Sequence, residues 1–407
     1  MDLPLLLAAV ERGDDDAVLE LLYDTTVGEQ VGEDVVTLLA AAARAGRDRV
    51  VHGLVARGAN TARPWAGGID PVVWAAENGW YWVLQALLAD GRQDRLSSDS
   101  PHRRALRAAR EALAAGASAG DGPPPAHRAI ITELETALGV RHPPDELAAR
   151  ALVHADPDHD DWFASAVALG DRIDRETFDW ALAAAGDASD PDRRRFGLDT
   201  IKYLAIGFDV RPDDGDDDAE LPFEREAESF LRPLLDSEQD PCTLAIVIAA
   251  FSFHNTSGDT VAAVLPHARH ADPRVRACVC QALRTSVPER EAALAALVRL
   301  TDDPVPVTRE NALSKLLKSK ADTPEVRAAF AAHLTDPHFY ARLEAAAGLA
   351  LCGDERGLAA LGEIRAGLKN PNSPGWGHFS TIDHLLRARA ERKAGGTDGS
   401  STDRTIT

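Results

Sequence analysis

Along the first hundred residues, apolar positions fall in short helical runs that end on glycine. The runs Ala8-Ala9-Val10-Glu11-Arg12-Gly13, Ala41-Ala42-Ala43-Arg44-Ala45-Gly46 and Val73-Trp74-Ala75-Ala76-Glu77-Asn78-Gly79 close on glycines 33 residues apart. A second landmark, Leu21-Leu22, Leu54-Val55 and Leu87-Leu88, keeps the same spacing. Two landmarks in one register predict a repeated helix–turn–helix unit. Small alanines let the first helix of each unit pack closely, and the glycine ends it where a left-handed residue is needed. Residues 101–116 read as one further helix, with Leu106, Ala109 and Leu113 on one face and Arg103, Arg107 and Arg110 on a solvated one.

Residues 117–125 are rich in glycine and proline and read as a hinge. Gly116-Ala117-Ser118-Ala119-Gly120 matches the nucleophile-elbow pattern formally. That motif needs a strand before the serine and a helix after it, and here a helix precedes and prolines follow. Ser118 is therefore not read as catalytic.

Beyond the hinge the punctuation changes. Asp272-Pro273, Asp303-Pro304 and Asp336-Pro337 each stand before an apolar helical run, with arginines at 276, 309 and 342, again 33 apart. Asp240-Pro241 extends the series, and Asp156-Pro157 and Asp190-Pro191 are degenerate earlier copies. Asp is a natural N-cap, and Pro fits the first helical position, where an N–H is not needed. The recurrence of Arg276, Arg309 and Arg342 predicts a structural ladder pairing with acidic groups between neighbouring units, since repeat arrays are held by nearest-neighbour interfaces.

The segment Asp70-Pro71-Val72-Val73 through Gly79 and on to Leu87-Leu88-Ala89-Asp90-Gly91 resembles an ankyrin repeat, a resemblance that extends over about residues 3–96. The Asp-Pro-x-x-Val-Arg pattern resembles a HEAT repeat over about residues 240–370 and more weakly from 126. The spacing is shorter than in typical HEAT or armadillo units and nearer to the compact units of bilin lyase relatives. The expected fold is an all-α tandem helical-repeat solenoid without substantial sheet. Its parts are ankyrin-like repeats with a capping helix (1–116), the hinge, a HEAT-like array (126–393) and a disordered tail (394–407). A last capping helix is expected over residues 376–393.

Composition sharpens this picture. The chain has 407 residues, 45% of them apolar and 27% charged, and a net charge of −21. Residues 1–116 hold 12 basic and 17 acidic groups, so most of the excess lies beyond the hinge. Such a balance disfavours nucleic acid and anionic membranes and suits a basic protein partner. Four cysteines in apolar helical runs, no basic leader and no long apolar stretch point to a cytoplasmic protein.

Three clusters are candidates for function. Trp74, Trp80, Tyr81 and Trp82 form the most unusual one. They are either a partner-binding anchor, tryptophan being enriched at hot spots, or bulk for an alanine-rich array. The insertion 209–220 carries seven acidic residues and includes Asp216, Asp217 and Asp218. It reads as a solvated loop or a docking site for a basic partner, and it does not fit a calcium-binding helix–loop–helix. His154, Asp156, Asp158, His159, Asp160 and Asp161 are metal-ligand types, but a second ligand pair at fixed spacing is missing. They are read as a turn that caps the following helix, and no metal or cofactor is assigned.

Three function classes follow. The first is a non-enzymatic protein-binding scaffold or regulator, with an inhibitor or immunity role implied only by resemblance, because both repeat types recur in bacterial immunity proteins. The second is a HEAT-like enzyme of lyase or DNA-glycosylase type, which needs a basic, aromatic-lined groove. The third is a metal-dependent activity at residues 154–161. Oligomeric state is not encoded in any of these signals.

Overall fold

Capping chemistry sets the helix boundaries in this computed structural model. It describes residues 2–22, 32–89, 100–116, 126–209, 223–254, 259–285 and 289–368, together with Phe379 and Ile382. The hinge 117–125, the acidic residues Asp216, Asp217 and Asp218, and the tail 394–407 lie outside the described residues, as does nearly all of the segment 376–393.

The described chain is helical throughout, with an isolated antiparallel bridge between Trp65 and Ile69. It divides into two compact units, residues 1–256 and 257–407. The described residues of the first unit form fourteen helices. They are α1 (Leu3–Arg12), α2 (Asp15–Leu21), α3 (Glu33–Arg44), α4 (Asp48–Ala56), α5 (Pro71–Glu77), α6 (Tyr81–Leu88), α7 (Pro101–Ala114), α8 (His127–Ala137), α9 (Pro144–Ala151), α10 (Asp160–Gly170), α11 (Arg175–Gly186), α12 (Pro191–Asp209), α13 (Glu224–Ser237) and α14 (Pro241–His254). The second holds α15 (Thr260–Val264), a 3-10 turn (Leu265–Arg269), α16 (Pro273–Ala282), α17 (Arg290–Leu300), α18 (Pro306–Ser319), α19 (Pro324–Ala332), α20 (Phe339–Leu351) and α21 (Glu355–Gly367).

Packing follows the rule of a solenoid: a helix lies against the one two places along. Thus α1 packs on α3, α2 on α4, α4 on α6 and α5 on α7, and the series α8, α10, α12, α14 continues it. In the second unit α16, α18 and α20 stack, with α17 on α19 beside them. The all-α helical-repeat expectation describes this architecture. Between neighbours the core is made largely of alanine, leucine and valine, including Ala9, Ala42, Ala43, Ala75, Ala76 and Leu54, all buried.

The glycine register is visible in the backbone. Gly13, Gly46 and Gly79 have φ of 75°, 66° and 70°. At Gly46 a second constraint applies, because a Cβ there would stand 2.5 Å from the Trp80 ring. The conformation and the ring together require glycine.

Helices α7 and α8, on either side of residues 117–125, pack on each other. Buried Glu135 of α8 ties them, accepting from Arg110 of α7 and from Arg150 of α9, the latter at 2.7 Å, with His142 Nε2 also 2.7 Å away. Arg104 of α7 likewise pairs with Asp70 at 2.8 Å. The basic side of α7 is therefore partly engaged in ion pairs, although Arg110 remains half in solvent.

The Asp-Pro boundaries differ among themselves. Asp70 and Asp272 are N-caps with proline next, accepting backbone N–H bonds within the first turn. Asp303 and Asp336 sit two residues upstream of the caps Val305 and His338, whose N–H groups they accept at 2.9 and 2.8 Å. Here the helices start at Pro306 and Phe339 rather than at Pro304 and Pro337, and each carboxylate is a turn acceptor and ion-pair partner instead.

Candidate functional site at the start of helix α10

The four aromatic residues picked out by sequence have different surroundings. Trp74 is half-buried against Trp65, with ring centroids 5.3 Å apart. Trp80 lies on Gly46 and packs against the core. Tyr81 is buried, and burial together with nearby Glu133 pushes its hydroxyl pKa above the ordinary tyrosine value. Trp82, by contrast, is 47% exposed. It makes an edge contact with Tyr81 at 5.0 Å and a tilted one with Phe163 of α10 at 5.5 Å. Phe163 continues to Tyr203 of α12 at 6.1 Å, and Lys202 lies over the Tyr203 ring at 4.4 Å. Phe163 and Tyr203 were not singled out by sequence. The packing of α6 on α8, α8 on α10 and α10 on α12 brings them near Trp82, and no local spacing carries that information.

Trp82 donates its indole N–H to Asp160 Oδ1 at 3.0 Å. Burial pushes the Asp160 carboxyl above the usual carboxylate value, and the Trp82 bond works against that shift. Asp160 opens α10, so the aromatic surface adjoins the acidic, histidine-bearing segment 154–161.

That segment is built around a cap. Asp158 N–H donates to Asp156 Oδ1 at 3.0 Å, which tightens the turn. His159 is the N-cap, its Nδ1 accepting the Asp161 N–H at 3.0 Å. Asp161 points inward and is 1% exposed. Its Oδ1 accepts the Ala129 N–H at 2.7 Å. This supplies a remote acceptor to α8, whose own N-cap, Ala126, has no side-chain bond to offer. His154 stacks on His159 with centroids 3.9 Å apart and planes 20° apart. Burial and the neighbouring His159 lower the His154 pKa, and burial raises that of Asp161.

In the second unit the recurring arginines form a ladder of pairs. Arg276 forks onto Asp303 at 2.6 and 3.1 Å, and Arg309 onto Asp336 at 2.8 and 2.8 Å. Each also donates backward to carbonyls of its own turn, Arg276 to His270 and Ala271, Arg309 to Asp303 and Pro304. Arg342 repeats the backward bond to the Asp336 carbonyl.

A cavity of about 540 Å³ also lies in the second unit, between α18, α19 and α20, lined by Leu316, Leu317, Phe330 and Leu351 with Lys318 and Lys320. The carboxylate in its lining, Asp322, is forked by Arg327 at 2.5 and 2.9 Å. Cys280 is buried, which pushes its thiol up to about 12. Among the described residues no helix is long and apolar enough to cross a membrane.

Comparison with protein-family models and with curated proteins finds no match. Among solved structures, Escherichia coli YibA is similar at 21% identity and a TM-score of 0.44, over 56% of this chain and 76% of that one.

Proposed function

We propose that the chain is a non-enzymatic helical-repeat binding protein, in which the surface around Trp82 anchors a protein partner. In this reading residues 3–96 are ankyrin-like units and residues 240–370 are HEAT-like units. The observation that carries it is Trp82 itself. It is a large apolar ring left 47% exposed, yet held by a hydrogen bond to Asp160 and by contacts with Tyr81 and Phe163. An aromatic ring fixed before binding loses little conformational entropy when it is covered. Trp74 and Trp80, which packing against Trp65 and Gly46 engages, are not part of this exposed surface. The net charge of −21 favours a partner with basic groups, and the acidic run containing Asp216, Asp217 and Asp218 adds to that steering.

A photo-crosslinking residue placed at Gln85, three residues along α6 from an intact Trp82 and so beside it on the helix surface, tests this in the native cell, with the same residue at Leu358, an exposed apolar position, as control. The expected result is a discrete protein adduct specific to position 85 that weakens as salt is raised. Identical adduct patterns from the two positions would sink the proposal. Trp82→Ala should abolish partner capture with the fold intact, and Trp82→Phe should restore part of it.

A further inference from the structure

We infer that His154, His159 and Asp161 form a binding site for a divalent transition-metal ion, with zinc the natural probe. The three side chains bring ligand atoms within 4.8 Å of one another. The decisive feature is Asp161 Oδ2, which is buried and has no hydrogen-bond partner. A buried carboxylate oxygen left unpaired is costly, and this one faces two imidazoles. It lies 3.6 Å from His154 Nε2 and 3.9 Å from His159 Nδ1. Those separations are too long for hydrogen bonds. Ligand atoms sharing a zinc at about 2.1 Å lie roughly 3–4 Å apart, so the same separations suit a common ion. Two imidazoles and a carboxylate favour zinc and its first-row neighbours over calcium or magnesium, which prefer all-oxygen sets.

The surroundings fit a ligand set. The other oxygen of Asp161 is fixed by the Ala129 N–H at 2.7 Å, the kind of outer contact that orients a ligating carboxylate. The His154 side chain is 34% exposed and gives an ion a route in from solvent. Three protein ligands leave further coordination positions for water or for a group brought by a partner. Two features compete with the ion. His159 Nδ1 is the acceptor for the Asp161 N–H, so ligation through that atom gives up the cap. Arg128 acts electrostatically on both His154 and Asp161, and its charge opposes a cation.

Those competitors make the test selective. The full chain, stripped with a chelator, is titrated with zinc by calorimetry and with cobalt(II) by visible absorption, and neither readout involves the protein partner. One equivalent of zinc is expected, with a rise in melting temperature set by affinity and free ion. His154→Ala should weaken binding tenfold or more. His159→Asn should do the same while keeping a good N-cap residue, so its unfolding midpoint without metal should stay near wild type. Arg128→Ala should tighten binding. Absence of zinc uptake by the wild-type chain overturns the inference. So does unchanged uptake in the His154→Ala/His159→Asn double variant, which would place the ion on other histidines.

Discussion

The Arg309–Asp336 fork offers a direct measurement of what holds the second unit together. Asp336 is nearly fully buried, and its carboxylate accepts two bonds from Arg309 at 2.8 Å and the His338 N–H at 2.8 Å, with His333 Nδ1 at 3.1 Å. Asp336→Ala removes all four and leaves the guanidinium, itself only 12% exposed, without its counter-ion. Breaking one side of a buried pair costs about 3–5 kcal/mol. Arg309 keeps its bonds to the Asp303 and Pro304 carbonyls at 3.0 and 3.3 Å, which places the expectation at the lower end, about 3 kcal/mol. Asp336→Asn keeps one oxygen, which can still accept from both the His338 N–H and Arg309 Nη2 as Oδ1 does, but loses the acceptor for Arg309 Nε; it should cost about 2 kcal/mol, the value of a charged hydrogen bond. The assay is urea unfolding followed by helical circular dichroism, completed with Arg309→Met and the double variant. A coupling of about 2 kcal/mol is expected from the cycle. The pair also fixes a pH signature. Arg309 holds the Asp336 carboxyl well below the usual carboxylate range. Protons therefore bind the unfolded chain more readily than the folded one. The stabilisation is complete above the unfolded pKa of about 4 and is lost as pH falls toward the folded value. The difference between wild type and Asp336→Ala should stay constant from neutral pH down to about 5 and shrink below about 4. A cost under about 1 kcal/mol, or a coupling near zero, would refute the view that this fork is an interface element.

Three further outcomes are expected. Gly46→Ala places a Cβ 2.5 Å from the Trp80 ring at a φ of 66° and should destabilise by about 1–3 kcal/mol in thermal melts, with Trp80→Leu recovering part of the loss. Burial alone would push the Glu135 carboxyl up, but the Arg110 and Arg150 bonds outweigh it and hold it below its ordinary value. Glu135→Gln should therefore cost about 2–4 kcal/mol at neutral pH, with the penalty shrinking below about pH 4 in the same denaturation assay. Cys280, buried and with its thiol raised to about 12, should resist alkylation at pH 8 in the native state, whereas half-exposed Cys242, Cys278 and Cys352 react first by mass spectrometry.

The repeats were legible because their signals are local and periodic. A glycine every 33 residues marks a left-handed helix end, and the structure has φ near 70° at Gly13, Gly46 and Gly79. The Asp-Pro positions were readable for the same reason, although Asp303 and Asp336 do a different job from Asp272. A sequence shows that a carboxylate precedes a helix. Whether it caps that helix depends on where the helix starts, and Val305 and His338 rather than the Asp-Pro pairs set that point.

The candidate site was harder to see, for a reason that Asp161 makes concrete. From sequence, the segment 154–161 looks like a helix cap, and locally it is one: His159 accepts the Asp161 N–H. What singles the segment out is a long-range fact. Asp161 turns away from its own helix end to accept the Ala129 N–H of α8, and that leaves its second oxygen buried beneath two stacked imidazoles. The same packing of α6 against α8, and of α8 against α10, carries Trp82 to Asp160, one residue away. The cap, the carboxylate that holds Trp82 and two of the three ligands thus occupy the consecutive positions 159, 160 and 161 at one helix start. An ion that drew His159 away from its cap would act on the residue beside the one that holds Trp82. Zinc should therefore alter the intrinsic tryptophan fluorescence of the wild-type chain, less so that of Trp82→Phe, and leave it unaltered in His154→Ala/His159→Asn. A change of equal size in the wild type and that double variant would break the link between the two halves of the site.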